Sequence, residues 1–430
     1  MFPNPQAALP LPSRPNLEQY KKLAKDLVKA CKSNESQTIR TWATDWIEKL
    51  VSLTELKITH AMPVRIESWV NQVEEFARRT MSRAEPVLAD AQFVIARSHG
   101  FESWPKFAKH LEAITRKGTP VSRFEAAADA IVAGDMATLE RLLREEPELI
   151  RARSTREHRA TLLHYTSANG VEGYRQKTPK NAVEIAKLLL QSGAKVDAEA
   201  DVYGGGATTL GLVATSVHPE RAGVQNELLQ LLLDHGAVID HPGSAGRDHS
   251  AVNGCLHNDR PQAAEFLAAR GAQLDLEGAA GVGRLDVVKS FFNADGSPKS
   301  NAPKAQLQAG FVWACEYGRK DVVEFLLEKG VDLRAGENTG ETALHLAAHR
   351  GQLEMIKLLL ERGAPLEAKN VYGGTVLGQA TWSVMHGDPN IDFVPVIEAL
   401  LAAGARIEEA DYPTGNEGVD DVLRRHGARS

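Results

Sequence analysis

The chain has 430 residues, 43% apolar and 25% charged, with three cysteines and a net charge of −6. That length exceeds one compact core and predicts two domains, or a domain with an array. No apolar run reaches about 18 residues and no charged-then-apolar leader opens the chain, which excludes a predicted membrane span or secretory leader.

Cys31, Cys255 and Cys315 stand in no metal or redox spacing, which points to a reducing, cytoplasmic setting. Charge is uneven. Residues 1–120 carry 18 Lys/Arg against 13 Asp/Glu (+5), and the remainder carries 32 against 43 (−11). This shift places a domain boundary near residue 120. A surplus of five falls short of the basic stripe of a nucleic-acid-binding domain.

In chain order, Pro3, Pro5, Pro10, Pro12 and Pro15 rule out a helix, so residues 1–15 are expected to be a disordered tail. Residues 16–115 read as a helical bundle. Ile39, Trp42, Ala43, Trp46, Ile47 and Leu50 recur at three- and four-residue spacing, as do Ile66, Trp69, Val70, Val73 and Phe76, each set marking one helix face. Helix, Gly100 turn and helix also fit a DNA-reading pair. The second helix offers only Lys106, Lys109 and His110 beside Glu102 and Glu112, which favours packing over nucleic acid. Residues 116–120 read as a linker.

From residue 121 the register is set by Gly193, Gly236, Gly271, Gly296, Gly330, Gly363, Gly404 and Gly427. Each is expected to end a helix that carries a run such as Leu188-Leu189-Leu190 or Phe325-Leu326-Leu327. Residues 340–364 give the clearest unit: Thr342-Ala343-Leu344-His345-Leu346-Ala347, then Met355 to Leu360, then Gly363. This unit resembles the ankyrin repeat, with its Thr-Pro-Leu-His-x-Ala pattern and period of about 33 residues. The resemblance implies an all-α fold over 121–430: a solenoid of helix-turn-helix repeats with β-turn fingers, capped at 124–145 and 419–428.

At the position of the motif's histidine the repeats carry His164, Gly211, Asn253, Glu277, Val312, His345 and Gly378. Two departures look alike: Val202-Tyr203-Gly204-Gly205 and Val371-Tyr372-Gly373-Gly374. Paired glycines allow positive φ and close approach, and a tyrosine at a turn tip is a rigid contact. Turn chemistry alone also accounts for both. Arg247, Asp248 and His249 are expected on another tip. The surrounding histidine-rich stretch, 234–259, offers one i, i+4 pair, Cys255 and Asp259, too little for a metal site. Ser216 and His218 diverge on a helix and make no catalytic pair.

The inner helices carry Tyr165, Trp313, Tyr317 and Trp382, with Glu277 and Glu316 nearby. Such aromatics suit a binding groove or fill gaps between irregular repeats. By analogy of fold, the sequence predicts a protein-binding scaffold or adaptor with a basic partner and no cofactor or metal. The alternative is an enzyme or small-molecule receptor with an acidic, aromatic-lined pocket in the inner face. An enclosed pocket between the two glycine turns favours the receptor, an open groove the scaffold.

Overall fold

The computed structural model describes residues 4–12, 14–33, 37–54, 62–82, 86–242, 250–334, 336 and 339–429. Within these it is almost entirely helical, in keeping with the expected all-α solenoid. The chain divides into two compact units, Met1–Asp248 and His249–Ser430.

Unit 1 opens with helices Leu17–Lys32, Thr38–Leu53, Met62–Thr80, Leu88–Ser98 and Trp104–Thr115. The predicted faces meet in one core holding Leu27, Trp42, Trp46, Ile47, Val73, Ile95 and Phe107. The expectation of a disordered tail is corrected. Among the described residues of the segment, Pro5–Ala7 form a short 3-10 helix and Leu9 is buried in the bundle core. The Leu9 amide donates to the Ser98 carbonyl at 2.8 Å, and its carbonyl accepts from His99 Nδ1 at 3.1 Å. Proline forbids a helix here but not an extended strap, and burying one leucine repays roughly 1.5–3 kcal/mol of its ordering. The strap also passes so close to Gly173 that a Cβ there would stand 2.3 Å from the Gln6 carbonyl oxygen.

Both sides of residue 120 lie within the first compact unit, and a buried ionic network forms just beyond it. Helix Pro120–Ala133 supplies Glu125 and Asp129, and the loops beyond supply Arg156, His158, Glu172 and Arg175. Arg156 Nη1 lies 2.8 Å from Glu125 Oε1 and 3.0 Å from Glu172 Oε1. Arg175 pairs with Glu125 and Asp129, each at 2.8 Å. The Ala160 amide donates to His158 Nδ1, leaving the Nε2–H to face Glu172 at 3.3 Å. From the bundle, His110 reaches Thr155 Oγ1 at 2.7 Å, and Arg97 pairs with Glu157. The helix that was a candidate DNA reader thus has its histidine buried inside unit 1, and its Lys106 pairs with Glu102.

Unit 2 stacks helix pairs. The inner helices are Ala251–His257, Leu276–Gly281, Lys304–Glu316, Ala343–His349 and Val376–His386. The outer ones are Pro261–Ala268, Leu285–Ser290, Lys320–Glu328, Leu353–Glu361 and Val394–Ala402, with Glu417–Arg425 at the end. Their leucines, valines and alanines share one continuous core from Leu276 to Leu423. At Gly363, with φ +77 to +97° at the comparable stops Gly330 and Gly193, the helix closes with a paired lock. Gly363 N–H donates to Leu360 O at 3.0 Å and Ala364 N–H to Leu359 O at 2.9 Å. This geometry needs a left-handed residue. Gly296 departs from the expected role: it sits in a turn where its amide donates to Asn293 O at 2.9 Å, well past the end of helix Leu285–Ser290.

Leu359 is fully buried between neighbouring outer helices. Replacing it with alanine is expected to cost about 2–5 kcal/mol and to loosen unit 2 first at the adjacent repeats. Residue-resolved hydrogen exchange checks this; unchanged protection across 343–402 contradicts it.

Candidate functional site

Repeats 33 residues apart stack side by side, so equivalent residues form rungs along the inner face. One rung series reads Glu316, His349, Trp382; a second reads Trp313, Leu346, Gln379; a third pairs Tyr317 with Arg350. All of these but Arg350 line an open groove of about 860 Å³ in unit 2, which the finger 370–374 and Glu409 and Asp411 also line.

The finger is braced from beneath. Asn370 Oδ1 accepts from the amides of Tyr372 (3.0 Å) and Gly374 (2.9 Å). Thr342 and His345 form a capping box at the start of helix Ala343–His349, and His345 Nε2 reaches the Gly374 carbonyl at 3.3 Å. One repeat further the motif histidine is Gly378, whose backbone is so near the following turn that a Cβ would lie 2.9 Å from the Glu409 carbonyl. Tyr372 stands 81% exposed at the tip.

Aromatic rings and carboxylates alternate along the floor. Trp313 is only 2% exposed and meets His257 edge-on at 4.6 Å. Trp382 is 44% exposed, stacks on His386 at 4.7 Å and lies 6.1 Å from His349. Burial, then the charge of Arg350, holds His349 below the usual imidazole range. Tyr317 donates its hydroxyl to Leu256 O at 3.0 Å, and burial pushes that phenol up. Arg350 pairs with Asp259 and with Glu316 at 3.0 Å. Glu409 pairs with Lys369 and Arg406, each at 3.0 Å. Among the described residues no basic side chain pairs with Glu341 or Asp411, the remaining two acids of the groove.

The structure therefore brings Trp313, Tyr372, Gly373, Gly374 and Trp382 into one groove. It separates the others. Tyr203, Gly204 and Gly205 lie in unit 1, and the two Val-Tyr-Gly-Gly turns differ in kind. Tyr203 takes a left-handed φ of +54°, at a cost of about 1–2 kcal/mol. Its hydroxyl donates to Asn169 Oδ1 at 2.7 Å and accepts from the Gln6 amide; it fastens the strap. Glu277 is outside the groove, on an inner helix where Gly310 approaches it closely. Arg247, Asp248 and His249 fall outside the described residues. Ser216 is buried and caps the His218 amide at 3.4 Å.

A family model described as ankyrin repeats (3 copies) matches residues 276–370 and 311–411. This stretch is an ankyrin array. No curated protein matches the chain. Ankyrin repeats in general are protein-interaction scaffolds, and the groove lies on the inner helices and finger of the array. Among the described residues no helix is long and apolar enough to cross a membrane.

Arg350, His349, Glu341 and Asp411 were not singled out from the sequence. Laying the inner helices of the ankyrin array over one another at 33 residues exposes the first two, since Arg350 falls under Tyr317 and His349 under Glu316. Glu341 and Asp411 sit in turns, where charge is ordinary and carries no signal.

Proposed function

We propose that the protein is a scaffold or adaptor whose ankyrin array binds a partner protein by taking an extended, cationic segment of it into the groove. The carrying observation is the lining itself, in which Asp259, Glu316, Glu341, Glu409 and Asp411 surround Trp313, Tyr317, Tyr372 and Trp382. Acids steer a basic chain and reject an acidic one, while the exposed rings of Tyr372 and Trp382 supply the contact area typical of binding hot spots. The open groove, with Tyr372 and Trp382 exposed at its mouth, suits a chain passing through more than an enclosed small molecule. A cytoplasmic location accords with three free cysteines.

The test is selection of random displayed peptides on the whole chain. Winners are expected to be enriched in lysine and arginine, to weaken with salt, and to lose at least about tenfold in affinity to a Tyr372→Ala, Trp382→Ala variant. Enrichment of neutral or acidic sequences, or binding that survives the double variant, rejects the reading.

A further inference from the structure

We propose that the groove holds a subsite for one arginine side chain of the partner, formed by Glu341, Asp411, Tyr372 and Trp382. This rests on the reading of the groove as the seat of a cationic segment and narrows it to one residue type.

The ankyrin array already displays the chemistry in its own chain. The Arg350 guanidinium sits against the carboxylates of Asp259 and Glu316, with its Cζ 5.7 Å from the centre of the Tyr317 ring. Two acids from different repeats and one ring thus enclose a single planar cation. A guanidinium suits such a place because it spreads its charge over a flat fork, meets two carboxylates at once and stacks on a ring, whereas an ammonium is a strongly hydrated point charge.

Elsewhere in the same cavity the same set of groups recurs without the cation. Glu341 and Asp411 both line it, and among the described residues no basic side chain pairs with either. Both are held in place by neighbouring threonines. Glu341 Oε2 accepts from Thr339 Oγ1 at 2.9 Å, and the Asp411 amide donates to Thr381 Oγ1 at 3.0 Å. The rings are Trp382, backed by His386, and Tyr372, presented by the braced finger. Glu409, on the same side, is already satisfied by Lys369 and Arg406, so the demand for a cation falls on the other two acids.

The experiment uses the full chain and three short peptides of otherwise equal sequence: glycine alternating with arginine, with lysine, or with citrulline. Binding is read by fluorescence anisotropy. The arginine peptide is expected to bind about tenfold more tightly than the lysine peptide, and the citrulline peptide not measurably. Glu341→Gln and Asp411→Asn, which keep the side-chain shape, each weaken the arginine peptide about tenfold, while Glu361→Gln on an outer helix leaves it unchanged. Matching circular dichroism melts confirm that the variants fold. If lysine and arginine peptides bind wild type alike, or if Glu341→Gln and Asp411→Asn change nothing, the arginine subsite is overturned while the cationic groove stands. If neither basic peptide binds wild type, both readings fall.

Discussion

Arg156→Ala is expected to destabilise unit 1 by about 3–5 kcal/mol, the loss typical of stripping one partner from a buried ion pair. Arg156 is enclosed on every side, and it faces Glu125, Glu172 and the Tyr174 hydroxyl. Its removal leaves Glu172, which is fully buried, with His158 and a longer contact of 3.6 Å to Arg175. The two arginines are what hold the Glu172 carboxyl well below the usual range against the opposing effect of burial. A variant carrying Arg156→Met together with Glu172→Met is expected to lose less than Arg156→Ala alone, because no uncompensated charge remains at Glu172. Denaturant unfolding followed by hydrogen exchange over 94–175 checks both; an Arg156→Ala protein as stable as wild type shows the network to be dispensable.

The second large effect is acid lability of unit 1. Burial lowers His99 to about 3, His110 to about 4 and His164 to about 4, against about 6.5 in the unfolded chain. All three remain neutral in the folded unit while the unfolded chain takes up protons. Their stabilisation is complete above pH 6.5 and is lost progressively as pH falls towards 4. Each proton of difference is worth about 1.4 kcal/mol per pH unit, so the three together give a slope of about 4 kcal/mol per unit near pH 5. Glu125, held at about 2 by Arg156 and Arg175 despite its burial, adds a further loss only below about pH 4.5. Urea midpoints measured between pH 7 and 4.5 are expected to fall steeply, and a His110→Gln variant to show about two thirds of that slope. A flat profile contradicts neutral burial.

The repeat register was readable because the solenoid is a local structure. Gly363 and its equivalents take left-handed backbone within a few residues of the helices they end, and the leucine runs pack on the next repeat. Trp313, Tyr372 and Trp382 were recognisable for the same reason, since a position within a repeat determines a place in the groove. Non-local features were hidden. Leu9 looks like one apolar residue in a proline tail until Ser98 and His99 are beside it. Arg156 and Glu172 look like surface charge, and only the fold of 154–175 over helix Pro120–Ala133 makes them interior. The two Val-Tyr-Gly-Gly turns are identical as strings, yet Asn370 braces one from within its own repeat, while Asn169 and Gln6 hold the tyrosine of the other.

That last contact orders the birth of the protein on the ribosome. Gln6 and Tyr203 are 197 positions apart, so unit 1 cannot complete its surface until nearly half the chain has been synthesised; the Gln6 end of the strap must wait for that partner after Leu9 has met Ser98 and His99. The tie between His345 and Gly374 spans 29 positions, and each repeat of unit 2 can dock as soon as it emerges. Long-range closure of the first kind is slow and short-range closure of the second kind is fast. The half of the protein translated first therefore has the later-closing seam, and it is the half whose nascent form most needs protection from aggregation.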